Sequence, residues 1–271
     1  MSQIKLDHLT VAKVSGEDAG DYLQAQLTAD LTGLTDGQAC FSAYCRPSGN
    51  VLAVILVLRH KKDFYLVASR DLMGALLDEL GRFILRARVS INESNKSAVG
   101  VIAGDKPESP LFASPKGTSL TYGLVEDTDR RDKALLQEWR RNELNSGIVW
   151  LNSETSDQFL PQMLGLGNIQ ALSFRKGCFP GQEVIARVHY LGKLKRRSVA
   201  IRIRNESKLV IGGEVQVFTE DGKAHSGSIV DFAGTTEDTT VFIVVRAPGD
   251  VSFNEIESGG VRMPLVAPVQ T

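Results

Sequence analysis

Hydrophobic residues recur every three or four positions in the segment that follows Ser69. The residues that share this spacing are Leu72, Met73, Leu76, Leu77, Leu80, Phe83 and Ile84. Such spacing places apolar side chains on one face of an α-helix, and serine is a favourable residue at a helix N-cap. The pattern predicts an amphipathic helix after Ser69 whose apolar face packs on a sheet.

Two apolar segments before this helix are typical of strands. The continuous run 51–58 suits a buried strand, and 64–68 follows as its hairpin partner. The patterns also predict helices at 18–27 and 131–144, and strands at 11–14, 89–91, 98–103 and 120–125. This order of elements favours two α+β subdomains, each with helices on one face of a mainly antiparallel sheet.

The pattern changes after about residue 195. Apolar residues alternate with others over 199–204, and further strands are predicted at 214–219, 226–232 and 241–246. Asp221-Gly222 is a strong hairpin-turn signal because both residues tolerate positive φ. We expect a region 1–194 of two α+β subdomains and a small all-β barrel over 195–271, ending in an irregular segment around Pro264 and Pro268.

Composition narrows the class of protein. The chain has 31 basic and 32 acidic residues, and this balance argues against direct nucleic-acid binding. The longest apolar run is too short for a membrane helix and the N-terminal residues lack the apolar region of a signal peptide, so we expect a cytoplasmic protein without a membrane partner. The three cysteines and four histidines show no metal-ligand spacing, so no metal site is predicted.

Candidate chemistry is concentrated between Phe159 and Arg197, where glycines punctuate a polar segment. Pro180-Gly181 predicts a tight turn into a short helix, whose first amides favour anions. A lysine at 176 and a helix N-terminus both stabilise a thiolate, so Cys178 is a candidate nucleophilic or redox-sensitive thiol. The alternative interpretation is that Cys178 is a small buried hydrophobic residue.

A dense positive segment follows the candidate helix. Its basic residues are Arg187, Lys193, Lys195, Arg196 and Arg197, and no acidic residue lies among them. The segment is either a solvated loop leading into the barrel or a local site for a carboxylate or phosphate chain. The residues alone leave both interpretations open.

The segment Phe174–Arg187 resembles the signature of YgfZ-type proteins, which are folate-binding relatives of the glycine-cleavage T-protein. Its core is Lys176-Gly177-Cys178-Phe179-Pro180-Gly181-Gln182-Glu183, with Phe179 in place of the usual tyrosine. The similarity extends to the segments 16–19, 22–30, 45–49, 147–148 and 160–162. It therefore covers nearly the whole chain.

This resemblance implies two ferredoxin-like subdomains and a β-barrel arranged as a ring, with tetrahydrofolate or a derivative in the central opening. It also implies a folate-dependent role in assembly or repair of iron–sulfur clusters, with iron–sulfur enzymes or their assembly machinery as partners, including radical enzymes of tRNA modification. Lys176 and Cys178 would then be essential. The residues expected to shape the folate pocket are Gly177, Gln182, Glu183, Arg187 and Tyr190.

One departure bears on enzymatic activity. Aminomethyltransferases of this superfamily carry an Arg-Leu-Glu-Ala-Gly-type segment whose glutamate binds the pterin, and the corresponding place here is Glu143-Leu144-Asn145-Ser146-Gly147. The acid is thus replaced by Asn145. Folate-dependent aminomethyl transfer is the alternative function, and the expected role is that of an assisting protein rather than a stand-alone enzyme.

Overall fold

The structure is a computed structural model that describes residues 2–103, 109, 111–126, 132–192, 194–204, 208–235, 237–247 and 251–270. Its elements, in chain order, are β1 (Ser2–Lys5), β2 (Leu9–Ser15), α1 (Ala19–Gln26), β3 (Ala39–Cys45), β4 (Val51–His60), β5 (Asp63–Ser69), α2 (Arg70–Arg82), β6 (Ser90–Glu93), β7 (Lys96–Ala103), β8 (Phe112–Ala113), β9 (Tyr122–Glu126), α3 (Lys133–Asn145), α4 (Gln182–Leu191), β10 (Arg197–Ile203), β11 (Glu214–Phe218), β12 (Ala224–Thr235), β13 (Asp238–Val245), β14 (Ser252–Ser258) and β15 (Val261–Gln270). The predicted combination of helices and sheets is confirmed, and in the described residues strands outnumber helices.

The first sheet is antiparallel and has the strand order β3-β4-β5-β2-β6. Its hairpin β4–β5 was predicted, whereas β3 was missed. Helix α2 packs against β2, β4 and β5 and buries Leu72, Met73, Leu76 and Leu80. The predicted amphipathic helix is therefore confirmed, with its apolar face on the sheet.

The second sheet has the order β1-β7-β9-β8. Strand β1 is the first in the chain, yet it pairs with β7, with Ile4 opposite Gly100. The N-terminal strand therefore links the region of the first sheet to the second, which local sequence patterns did not indicate. The ferredoxin-like topology of the subdomains and the ring stay predictions.

The third sheet comprises the strands after residue 195, in the order β10-β13-β12-β11-β14-β15. Its outer strands β10 and β15 approach each other, so the sheet curls into a half-barrel with its own apolar core. The predicted turn at Asp221-Gly222 joins β11 to β12, with Gly222 at φ +79°. The predicted division at residue 195 stays a prediction.

The prediction of an irregular segment at the C-terminal end is wrong. Residues 261–270 form strand β15, in which Pro264 lies opposite Glu255 of β14. Proline lacks the N–H that an inner strand needs, but an edge strand tolerates it. Strand β15 stands at the end of the hydrogen-bonded order of the sheet, where this condition is met.

Helix α3 joins the second sheet to the half-barrel. It contacts β1 on one side and β12 and β13 on the other. Arg140 Nη2 donates to Asp231 Oδ1 at 2.6 Å, and Thr240 Oγ1 donates to Asn145 Oδ1 at 3.0 Å. Of the helices in the described part of the chain, none combines the length and apolar character needed to cross a membrane.

Candidate functional site

The signature segment turns into helix α4 as the sequence predicts. Gly181 is the residue before the helix and has φ +78°, a conformation that favours glycine. Gln182 N donates to Phe179 O at 3.1 Å across the turn. Pro180-Gly181 therefore sets the direction of α4 relative to the first residues of the signature segment, 174–179.

One side of α4 is held by the segment that precedes the signature. Ile185 is fully buried, and its carbonyl accepts a hydrogen bond from Gln162 Nε2 at 2.7 Å. The opposite side carries Glu183 and Arg187, which form an exposed pair at 3.3 Å one helical turn apart. Such exposed pairs add little to stability, so this face is available for contacts outside the fold.

Lys176 points into the protein. Its Nζ donates to the main-chain carbonyls of Leu27 at 2.5 Å and Ala29 at 2.8 Å, and it lies 5.5 Å from the centroid of the Phe179 ring. Burial lowers the pKa of Lys176 to about 8, although the nearby Asp30 carboxylate opposes this shift. The ammonium group is thus held by hydrogen bonds to main-chain carbonyls.

The three thiols have different surroundings. Cys178 is exposed, whereas Cys40 and Cys45 are buried. The interpretation of Cys178 as a buried hydrophobic residue is therefore wrong. Burial raises the pKa of Cys40 to about 12, and it also raises the pKa of Cys45. Cys178 is the accessible thiol of the three.

A cavity of about 530 Å³ opens beside the signature segment, and we call it the Phe174 cavity. Its lining residues are Ala29, Asp30, Leu34, Cys40, Lys116, Gly167, Gln170, Leu172, Ser173, Phe174, Arg175, His189 and Tyr190. The rings of Phe174 and His189 are stacked with centroids 3.8 Å apart, and Tyr190 meets Phe174 edge-on. Aromatic faces and the cations Lys116 and Arg175 share one concave surface.

The structure brings only some of the predicted site residues to this cavity. Tyr190 is part of the lining, and two-thirds of its surface is exposed. Gly177, Gln182, Glu183 and Arg187 are not among the described lining residues. The predicted pocket role of these four residues stays a prediction.

The sequence patterns do not identify several of the residues that line the cavity. Phe174 and Arg175 lie inside the matched signature, and Asp30 closes the matched segment 22–30, so the resemblance held a signal for these three. Lys116 and Cys40 come from distant parts of the chain, and only folding brings them to the cavity. In the basic segment, Lys195 and Arg196 are exposed, while Lys193 lies outside the described residues.

In the segment 143–147, where the resemblance implies a pterin-binding acid in aminomethyltransferases, the polar side chains lie in two different environments. Asn145 is exposed and bonded to Thr240 of the half-barrel. Glu143 is buried, and its Oε1 accepts from Tyr122 Oη at 2.7 Å and from Trp150 Nε1 at 2.9 Å. Burial raises the pKa of Glu143 to about 7. The carboxyl group in this segment is therefore part of the core.

No protein-family model matches the sequence, but individual proteins do. The tRNA-modifying protein YgfZ of Klebsiella pneumoniae (strain 342) is 31% identical over 228 residues, which span 72% of this chain and 70% of that protein. The chain belongs to the YgfZ family. YgfZ of Colwellia psychrerythraea (strain 34H) is 29% identical over 223 residues, spanning 71% of this chain and 69% of its own. An uncharacterized protein of Haemophilus influenzae is 29% identical over 245 residues, or 84% of each chain.

Among solved structures, the fold of this YgfZ family member is similar to that of the glycine cleavage system aminomethyltransferase T from Bartonella henselae. The TM-score is 0.69, and the match covers 99% of this chain and 84% of that one at 14% sequence identity. This chain therefore has the fold of that aminomethyltransferase, as the resemblance of the signature implied.

Proposed function

We propose that this protein binds tetrahydrofolate or a derivative in the Phe174 cavity and assists assembly or repair of iron–sulfur clusters in other enzymes. The observation that carries the folate proposal is the combination of stacked aromatic rings and cations around one cavity beside the YgfZ signature. The cavity volume lies in the range of small-molecule sites.

The lining suits the parts of a folate. Flat rings stack favourably on aromatic side chains, and Phe174, His189 and Tyr190 offer such surfaces. Lys116 and Arg175 would hold the glutamate carboxylates, since an arginine binds a carboxylate through two N–H groups. Asp30 would accept hydrogen bonds from N–H groups of the pterin. Each of these side chains lines the cavity.

We infer a ring-like arrangement around this ligand. In it, two ferredoxin-like parts and the half-barrel surround the folate, with the domain division near residue 195. Similarity to the T-protein fold supports this arrangement. Tyr190 and Lys116 come from distant parts of the chain yet line the same cavity, as a central site requires.

The iron–sulfur role is assigned to Cys178. A thiolate is a soft ligand for iron and a nucleophile towards sulfur species, and an exposed thiol is open to a partner protein. We propose that the partners are iron–sulfur enzymes or their assembly machinery in the cytoplasm, including radical enzymes that modify tRNA. The name of the Klebsiella relative supports the link to tRNA modification.

Aminomethyl transfer is the less favoured function. At the position where resemblance implies a pterin-binding glutamate, Asn145 is exposed and bonded to Thr240. Glu143 is held in the core by Tyr122 and Trp150. Turnover of an aminomethyl-lipoyl carrier protein by the purified protein would favour this alternative.

Thermal unfolding with and without tetrahydrofolate tests the folate proposal. A ligand that binds only the folded protein raises Tm as its concentration exceeds Kd, so a rise is expected for wild type and a smaller one for Phe174→Ala and Arg175→Met. Phe83→Ala is the matched control, because the Phe83 ring is exposed outside the cavity lining. An unchanged wild-type Tm at millimolar folate would refute the proposal.

A complementation assay tests the thiol. In cells that lack the protein, wild type should restore the activity of iron–sulfur enzymes, and Cys178→Ser should not, although both fold with similar Tm. If the serine variant restores activity fully, Cys178 has no part in cluster maintenance.

A further inference from the structure

Three consecutive carbonyl groups of the segment 27–29 accept hydrogen bonds from Ser173 and Lys176, at the start of the signature segment. Lys176 Nζ donates to Leu27 O at 2.5 Å and to Ala29 O at 2.8 Å. Between them, Thr28 O accepts from the main-chain N–H of Ser173 at 2.9 Å. The ammonium group therefore spans the carbonyls on both sides of a main-chain hydrogen bond.

The side chain of Thr28 adds a connection in the opposite direction. Thr28 Oγ1 donates to Ala171 O at 2.6 Å and accepts from Ala43 N at 2.8 Å. Thr28 itself is fully buried. Segments far apart in the sequence are thus joined at one point of the fold.

The segments 27–30 and 171–176, which these hydrogen bonds join, form part of the wall of the Phe174 cavity. Ala29 and Asp30 line it from the first segment, and the run 172–175 lines it from the second. Lys176 is not among the described lining residues. Its ammonium group instead contacts two carbonyls of the first segment, which forms part of this wall.

We propose that Lys176 is a positioning residue whose ammonium group fixes the segment 27–30 against the signature segment and so shapes the Phe174 cavity. The role differs from activation of Cys178, which the sequence suggested, and from direct contact with a ligand. Its architectural part is independent of the proposed folate function, because it concerns main-chain contacts within the chain itself.

The chemistry of lysine suits this role. A compact ammonium carries its N–H donors on a single atom, so one group reaches two carbonyls that lie on either side of Thr28. A neutral amine still has two N–H groups, which are enough for both carbonyls. The connection is therefore kept in either charge state, and the centroid of the Phe179 ring lies 5.5 Å from Nζ.

Hydrogen exchange measured by mass spectrometry without any ligand tests the proposal. In Lys176→Met, amides in peptides covering 27–32 and 171–176 should exchange about tenfold faster than in wild type, because hydrogen bonds from a charged group are lost. Peptides from 241–245 in the half-barrel should be unchanged. Lys195→Met is the matched control: it removes an exposed lysine outside the cavity lining and outside both peptides, and it should leave exchange in both peptides as in wild type.

Wild-type exchange in both peptides of Lys176→Met would overturn the proposal. If that variant does not fold, Lys176→Gln, which keeps polarity but shortens the reach, is measured instead and should show the same local increase. Alkylation of Cys178 by iodoacetamide provides a second readout. Positioning predicts the same rate in wild type and Lys176→Met, whereas a rate reduced several-fold with unchanged exchange would assign Lys176 to thiol activation instead.

Discussion

The α-carbon of Gly181 lies against the main-chain carbonyl of Arg46, so that a Cβ at position 181 would stand 2.4 Å from that oxygen. The positive φ of Gly181 adds a second obstacle to any side chain. We expect Gly181→Ala to lower the free energy of unfolding by about 2–4 kcal/mol, since strain and a backbone clash act together. Urea denaturation measures the loss.

Gly177→Ala is the control for this prediction. It lies in the same signature segment, but nothing stands within 4 Å of a Cβ at that position. Its stability should differ from wild type by less than about 0.5 kcal/mol. Equal losses in the two variants would show that contact with Arg46 is not what requires glycine at 181.

Local sequence patterns predict the turn at Gly181, but they do not identify Arg46 as its neighbour. Proline, glycine and the apolar residues of α4 act over a few positions, and so the turn and helix could be predicted. The contact with Arg46 depends on how distant segments pack. The resemblance groups segments 45–49 and 160–162 with the signature, and the structure places both beside α4. Gln162 Nε2 donates to Ile185 O, and a Cβ at Gly49 would stand 3.1 Å from Val184.

The three thiols should differ in their reaction with iodoacetamide according to their exposure. In folded protein, iodoacetamide should label Cys178 alone, because Cys40 and Cys45 are buried and the raised pKa of each keeps it protonated. Mass spectrometry should show one added label under native conditions and further labels only in denaturant. Native labelling that persists in Cys178→Ser would contradict the burial of the other two.

The ion pair between Arg140 and Asp231 should be important for attachment of the half-barrel to α3. Asp231 is buried, and burial raises its pKa while Arg140 opposes that shift. Asp231→Leu leaves the Arg140 charge without this partner, and we expect a loss of about 3–5 kcal/mol. The double variant Arg140→Met/Asp231→Leu should recover much of it, as denaturation curves would show.

An exposed pair serves as the comparison. Glu17 and Arg88 form a salt bridge in which both side chains are largely exposed. Glu17→Gln should change stability by less than about 1 kcal/mol. A similar small effect for Asp231→Leu would show that the buried pair does not hold the half-barrel in place.

Sequence alone could not reveal the Phe174 cavity. The resemblance could indicate the aromatic side of the cavity, because Phe174, His189 and Tyr190 lie in or beside the signature. Lys116 comes from a loop with no motif, and Cys40 lies on β3, which was missed, so their approach depends on packing between sheets. At Pro264 the sequence predicts an irregular segment where the structure has a strand. Proline breaks an inner strand but is tolerated at the edge position of β15.

Buried Glu143 should make stability depend on pH. Its pKa is about 7 in the fold against an ordinary 4.5, and the largest cause is burial. The folded state therefore binds a proton more tightly than the unfolded chain does. The contribution of this group to stability is fully present below pH 4.5 and is lost as pH rises through about 7.

Comparison of wild type with Glu143→Gln isolates this effect, because titrating groups away from Glu143 cancel in the difference. His8, whose Nε2 lies 3.9 Å from Glu143 Oε2, has a pKa that burial lowers to about 3, so it stays neutral over the range measured. The amide of this variant would keep an oxygen acceptor for Tyr122 and Trp150 but would not ionise. Relative to wild type, the free energy of unfolding of Glu143→Gln should rise by about 3 kcal/mol between about pH 4.5 and about pH 7.5, as urea denaturation would show. Glu138→Gln, which removes an exposed carboxyl from the same helix, should show little change over that range. A flat difference for Glu143→Gln would mean that the Glu143 carboxylate stays ionised in the core, with Tyr122 and Trp150 supplying enough hydrogen bonding to offset its burial.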